Sequence, residues 1–134
     1  MSHDAVQAML SADRASQSLG IDVVEIGDGR AVLSMRVRAD MVNGHDIAHG
    51  GYIFLLADSA FACACNSYGP VTVAAGAEIS FVTAGRLDDL LVATAEARTR
   101  YGRNGIYDVT VHRDDPDGRT VIAEFRGRSR EVAR

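Results

Sequence analysis

Apolar and polar positions follow a period of two along much of the chain, and two stretches break that pattern. The first is N-terminal, where Val6, Met9 and Leu10 fall on one face of a short helix running roughly from Asp4 to Ser18 and ending near Gly20. "IDVVEI" (21–26) then reads as a strand, and "GDGR" (27–30) as the hairpin turn into the next. In "AVLSMRVR" (31–38), Leu33, Met35 and Val37 face a core while Ser34, Arg36 and Arg38 face water, the signature of a half-buried antiparallel strand. "YGP" (68–70) breaks the chain, and three or four further strands are predicted in "VTVAAGAEISFV", "LLVATAEARTR", "GIYDVTVHR" and "TVIAEFRGRSR". Their separators are Gly85 with Asp88 and Asp89, "YGRNG", and the turn "DDPDG". The alternation is plainest where Tyr107, Val109 and Val111 oppose Asp108, Thr110 and His112.

The second exception is the run from Tyr52 to Cys65, which has helical character and no polar face. Such a helix is enclosed by protein rather than laid on a surface. A membrane span needs about 20 apolar residues, and this run is shorter, with Asp58 and Ser59 in its middle. The prediction is therefore a single α+β domain over residues 1–134: an antiparallel sheet of five to six strands wrapped around a long central helix, with a short helix at the start.

Composition narrows the partners. The formal net charge is −4, so there is no global basic surplus to bind nucleic acid. Asp4, Asp13 and Arg14 interrupt the first 20 residues where a secretory signal needs an apolar stretch, which reads as a cytoplasmic protein with no membrane partner. Cys63 and Cys65, two apart on a helix, point in different directions and are expected as free thiols.

Asp58 is the first chemical candidate. A lone carboxylate inside an apolar helix is costly to bury, and such groups are paired, protonated or open to a solvent-filled site. "HGG" (49–51) is the second, because two glycines at a helix start leave backbone N–H groups accessible, and the positive end of the helix stabilises an oxyanion on a carbonyl. Gly50 and Asp58 are eight residues apart, about 12 Å along one helix. One helix cannot bring both to the same reacting atom. If both serve one site, the second half comes from another copy, as two antiparallel helices in a symmetric homodimer would allow.

The preceding loop "DMVNGHDIAHGG" adds polar groups. Asn43 either orients a substrate or water, or makes the turn that "NG" favours, and spacing alone favours the turn. His45, Asp46 and His49 in "HDIAH" resemble a two-histidine zinc motif. That motif requires a helix, whereas Gly44, Gly50 and Gly51 bracket a loop, so no metal is expected. Ser59 and the cysteines have no base beside them in the sequence and are weak candidates as nucleophiles. Arg98, Arg100 and Arg103, with Arg126, Arg128 and Arg130, either solubilise strand faces or form a local basic rim for phosphates.

Taken together, "NGHDIAHGGYIFLLADSAFACACNSYG", followed in order by "FV", "GIYDVTV" and "FRGRSR", resembles the hotdog-fold acyl-CoA thioesterases in their phenylacetic-acid-degradation (PaaI-type) branch. The resemblance implies that Asp58 is the catalytic carboxylate, as nucleophile or as general base on a water, and that the Gly50 N–H is the oxyanion donor from the partner's helix. It further implies that Asn43 and His49 flank the thioester and that Gly102, Arg103 and Asn104 contact coenzyme A. The implied assembly is a homodimer with shared sites, commonly paired into a tetramer. No cofactor is implied, because coenzyme A is part of the substrate. Tyr52, Phe54, Leu55 and Phe61 are expected to line the acyl pocket, and the first expectation for the acyl group is phenylacetyl or a hydroxylated form. The chain departs from many relatives at Asp46, and has Gly76 where some carry serine or threonine. Two alternatives stay open: a hotdog dehydratase of hydroxyacyl thioesters using His45 or His49, and a module that binds acyl-CoA without turnover.

Overall fold

The structure is a computed structural model and describes residues 3–132. Its order is α1 (Asp4–Ala12), α2 (Arg14–Ser18), β1 (Asp22–Gly27), β2 (Arg30–Arg36), α3 (Gly50–Asn66), β3 (Thr72–Phe81), β4 (Leu90–Tyr101), β5 (Asn104–Asp115) and β6 (Gly118–Glu131). A single turn of 3₁₀ helix, Ala39–Met41, precedes the loop into α3. All strands pair antiparallel in one six-stranded sheet of order β1-β2-β4-β5-β6-β3. The sheet wraps α3, which is the hotdog arrangement.

The predicted N-terminal helix is two helices. Asp13 leaves helical geometry at ψ 86°. Its carboxylate caps α2, accepting from the Ser16 N–H at 3.0 Å and the Ser16 hydroxyl at 2.6 Å. Gly20 ends the segment in the left-handed region, φ 68°.

The inward faces of the strands follow the alternation. Leu33, Met35 and Val37 are buried, as are Tyr107, Val109 and Val111. His112, expected to face water, is buried too. The register between β5 and β6 shifts at Val111/His112, so the bulge turns both residues inward.

The central helix extends beyond Tyr52–Cys65 at both ends. Gly50 and Gly51 form its first turn, and Asn66 closes its last, donating to the carbonyls of Ala62 and Thr72 and accepting from the Thr72 N–H at 3.0 Å. Burial of α3 is incomplete within one chain. Leu56, Ala57, Ala60, Phe61 and Ala64 are enclosed, whereas Gly51, Leu55, Asp58 and Ala62 form a stripe of one helical face left at least partly open. Among the described residues, no helix is long and apolar enough to cross a membrane.

Candidate active site

The loop before α3 is pinned by backbone bonds from the Ala48 N–H to Gly85 and from the His49 N–H to Met41, both 2.8 Å. Within it, the Asn43 side-chain oxygen accepts from the N–H groups of His45 at 2.8 Å and Ile47 at 3.4 Å. Asn43 therefore makes the turn, and its amide NH₂ is the part left for a ligand.

His49 is the N-cap of α3, its Nδ1 accepting from the Gly51 N–H at 3.1 Å. That bond satisfies the second amide of the helix and leaves the first. The Gly50 N–H has no acceptor among the described residues. Gly50 and Asn43 line a cavity of about 350 Å³ whose other walls include Ile53, Phe81, Thr83 and Gly85. The Phe81 ring lies over Gly50, which explains the missing side chain. A Cβ there would meet the ring at 2.8 Å.

Asp58 sits two turns further along α3. It is half-buried, and among the described residues no hydrogen bond or cation supports its charge; burial, and then repulsion from Asp13, push its carboxyl above the usual carboxylate range. An uncompensated carboxylate of raised pKa at a partly open position has the character of a general base. It shares the open stripe of α3, whereas Gly50 faces the Phe81 cavity, so one chain does not bring the two together.

The remaining predicted residues separate into groups. Tyr52 and Leu55 line an open concavity of about 350 Å³ with His49 and Gly51. Phe54 is half-buried and stacks edge-on against Phe125 at 5.3 Å. Phe61 corrects the expectation of a pocket residue. It is 1% exposed, packed against Tyr107 and Phe125 at 5.5 and 5.8 Å, and belongs to the core.

Gly102 and Arg103 form the β4–β5 turn, with Gly102 at φ 59° and Asn104 opening β5. This hairpin lies beside Cys65 and Tyr68, at the C-terminal end of α3 and away from Gly50. Arg98 and Arg126 are both committed to Asp108, holding that carboxyl down to about 2, Arg128 is tied to Glu78, and Arg100 stacks 3.5 Å over Tyr68. Arg103 and Arg130 make no ion pair among the described residues, and Arg130 sits opposite Asn104 in the sheet. At the position where some relatives carry a hydroxyl, the Arg128 guanidinium fills the space over Gly76.

Two features escaped the sequence reading. Phe81, Thr83 and Gly85 wall the cavity at the Gly50 amide, and of these only Phe81 lay in a motif, "FV". The hydrogen-bonded set of Asp13, Ser16 and Ser59 is scattered over the sequence and has no local signal.

The chain thus combines a wrapped helix, a free helix-start amide and an unpartnered carboxylate. The thioesterase superfamily pattern matches residues 45–119, and the chain belongs to that superfamily and is a thioester hydrolase. The chain is 42% identical over 135 residues to the acyl-coenzyme A thioesterase PaaI of Escherichia coli K12, a match spanning 98% of this chain and 94% of that protein. The solved E. coli PaaI protein from the phenylacetic acid degradation operon superposes with TM-score 0.92 at 39% identity, over 97% of this chain and 92% of that one. A mutant of the phenylacetic acid degradation protein PaaI from Thermus thermophilus gives TM-score 0.83 at 32% identity, over 90% and 100%.

Proposed function

We propose that this protein hydrolyses aromatic acyl-CoA thioesters, phenylacetyl-CoA or a hydroxyphenylacetyl-CoA first among them, to the free acid and coenzyme A in phenylacetate catabolism. The observation that carries the reading is the pair of unsatisfied groups on one helix, the Gly50 N–H and the Asp58 carboxylate, which do not converge within a chain. A symmetric dimer resolves this, with Asp58 of one protomer opposite Gly50 of the partner subunit.

In this scheme the thioester carbonyl oxygen takes the partner's Gly50 N–H, at the positive end of a helix, as negative charge builds on it. Asp58 draws a proton from a water as that water attacks the carbonyl carbon, or attacks the carbon itself and is then released by water. Either way the C–S bond breaks, the thiolate leaves as coenzyme A and takes up a proton, and the acid departs as carboxylate. The Asn43 NH₂ is the donor that orients substrate or water, and His49 acts through its cap on Gly51. No cofactor enters this chemistry.

Support for the dimer comes from two uncovered surfaces. One is the open stripe of α3; the other is edge strand β3, where Val73 and Phe81, with Val71 and Val82 flanking, are exposed. Pairing of dimers into a tetramer, and a cytoplasmic location consistent with the two free thiols, complete the reading. For coenzyme A, the unpaired Arg103 and Arg130 beside Asn104 are the cations suited to phosphate. The similarity to acyl-coenzyme A thioesterase PaaI supports the substrate class.

Following free thiol release over a panel of phenylacetyl-, hydroxyphenylacetyl- and aliphatic acyl-CoAs tests the proposal. Turnover of the aromatic members is expected, with loss in Asp58→Asn. An enoyl product without thiol marks a dehydratase, and stoichiometric binding without turnover marks a binding module; either overturns it.

A further inference from the structure

Ser59, the residue directly after Asp58, is buried at 8% exposure, and its hydroxyl lies 2.8 Å from that of Ser16 in α2, itself 4% exposed. The Ser16 hydroxyl has one proton and a carboxylate oxygen of Asp13 at 2.6 Å. A carboxylate accepts, so Ser16 donates to Asp13, and the Ser59 proton goes to Ser16. The direction of the relay is thereby fixed: Ser59 to Ser16 to Asp13. It joins the α1–α2 arm to the turn of α3 that carries Asp58.

We propose that Asp13 is a positioning residue of the hydrolytic site, locking the α1–α2 arm onto α3 through Ser16 and Ser59 and presenting a second negative charge to Asp58. The inference rests on the assignment of Asp58 as the reacting carboxylate. Asp13 has the contacts of a residue that serves two purposes. Its Oδ1 caps α2 by accepting from the Ser16 N–H, a task that any small polar N-cap performs, whereas its Oδ2 accepts from the Ser16 hydroxyl and sets the relay.

The groups facing Asp58 are few. Asp13 comes from the α1–α2 junction, and Cys65 lies on α3 itself. Burial pushes the Cys63 and Cys65 thiols up to about 12, so both stay neutral. β2 and β4 face α3 with buried apolar side chains such as Leu33 and Ala93, α1 with Val6, and β6 with Phe125. β1 and β3 add the partly buried Ile26, Ala77 and Ile79. β5 contributes Val109 and Tyr107, whose phenol burial drives upward, so it too stays neutral. Among the described residues, Asp13 is the one charge that raises the Asp58 carboxyl.

The test is the pH profile of kcat/KM for thiol release in Asp13→Asn and Asp13→Ser, both competent N-caps without the charge. Each is expected to move the acidic limb down by roughly half a pH unit, about a threefold gain on that limb, because a repulsive charge is removed from the base. An acidic limb that stays in place in both variants overturns the role of Asp13 while leaving the Asp58 assignment intact. Full activity in Asp58→Asn overturns both.

Discussion

The ring of Phe81 lies so close over Gly50 that a Cβ at position 50 would come within 2.8 Å of its Cζ. Glycine here gives the Phe81 ring room to lie over the helix start and is also the source of an open N–H. The two roles separate by mutation. Proline is tolerated at the first position of a helix, and the preceding His49, at φ −62° and ψ 132°, already has the extended conformation proline demands. Gly50→Pro deletes the amide proton and is expected to lower kcat by roughly 10²- to 10³-fold. Gly50→Ala keeps the proton, and an exposed Phe81 can swing aside, so it should retain clearly more activity. Equal activities in the two variants, with helix content unchanged by circular dichroism, would contradict the oxyanion role.

In the proposed mechanism Asp58 sets activity against stability. Burial and Asp13 raise its carboxyl, so in the folded protein the ionised form is penalised relative to the unfolded chain. Stability contributed at this position is therefore lost as pH rises from the unfolded value near 4 through the raised folded value. Asp58→Asn is expected to raise Tm at neutral pH while lowering kcat by roughly 10²- to 10⁴-fold. A Tm that falls would mean the carboxylate is compensated by contacts the fold relies on.

Leu55 and Phe61 are both large apolar residues of α3, with opposite expected responses. Phe61→Ala should cost about 3–5 kcal/mol in urea unfolding, because the ring fills the space between Tyr107, Phe125 and the backbone of Gly127. Leu55→Ala, on the open face beside Tyr52, should alter KM for aromatic substrates with little change in stability. Comparison of the two denaturation midpoints and KM values decides the assignment.

His112 is 2% exposed, and burial holds its imidazole below the usual histidine range, more than the nearby Asp114 can offset. The unfolded chain takes up this proton near pH 6.5, while the folded protein does so only at lower pH. Stability from this site is thus complete at neutral pH and is lost as pH falls below about 6.5 until the folded value is passed. Replacing His112 with phenylalanine should flatten the Tm-against-pH curve between pH 7 and 5 relative to the parent. An unchanged slope would show that the imidazole ionises freely.

Much of the fold was legible because it rests on local periodicity. The alternation in "AVLSMRVR" and the run after "HGG" with no polar face are statements about single elements, and the strands and helix formed where those patterns lay. The bulge that buries His112 was not legible, since one extra residue reverses the face and leaves no mark in composition. Phe61 was misread because an apolar helix gives no sign of which ring meets a strand and which meets a ligand. The Asp13 relay was invisible for another reason: its hydroxyls are 43 residues apart, joined only by packing of α2 on α3. For the site, the spacing of Gly50 and Asp58 on one helix carries the reading that, if both serve one centre, a second copy supplies the other half.

In the proposed dimer each reactive centre takes Asp58 from one protomer and Gly50 from its partner. Co-refolding equal amounts of Asp58→Asn and Gly50→Pro, each nearly inactive alone, tests it directly. Half of the dimers formed at random are mixed, and in each of these one site carries both lesions while the other carries none. The mixture should recover about a quarter of wild-type thiol release. A mixture as inactive as its two components would show that both residues act within one chain, or that they do not act together.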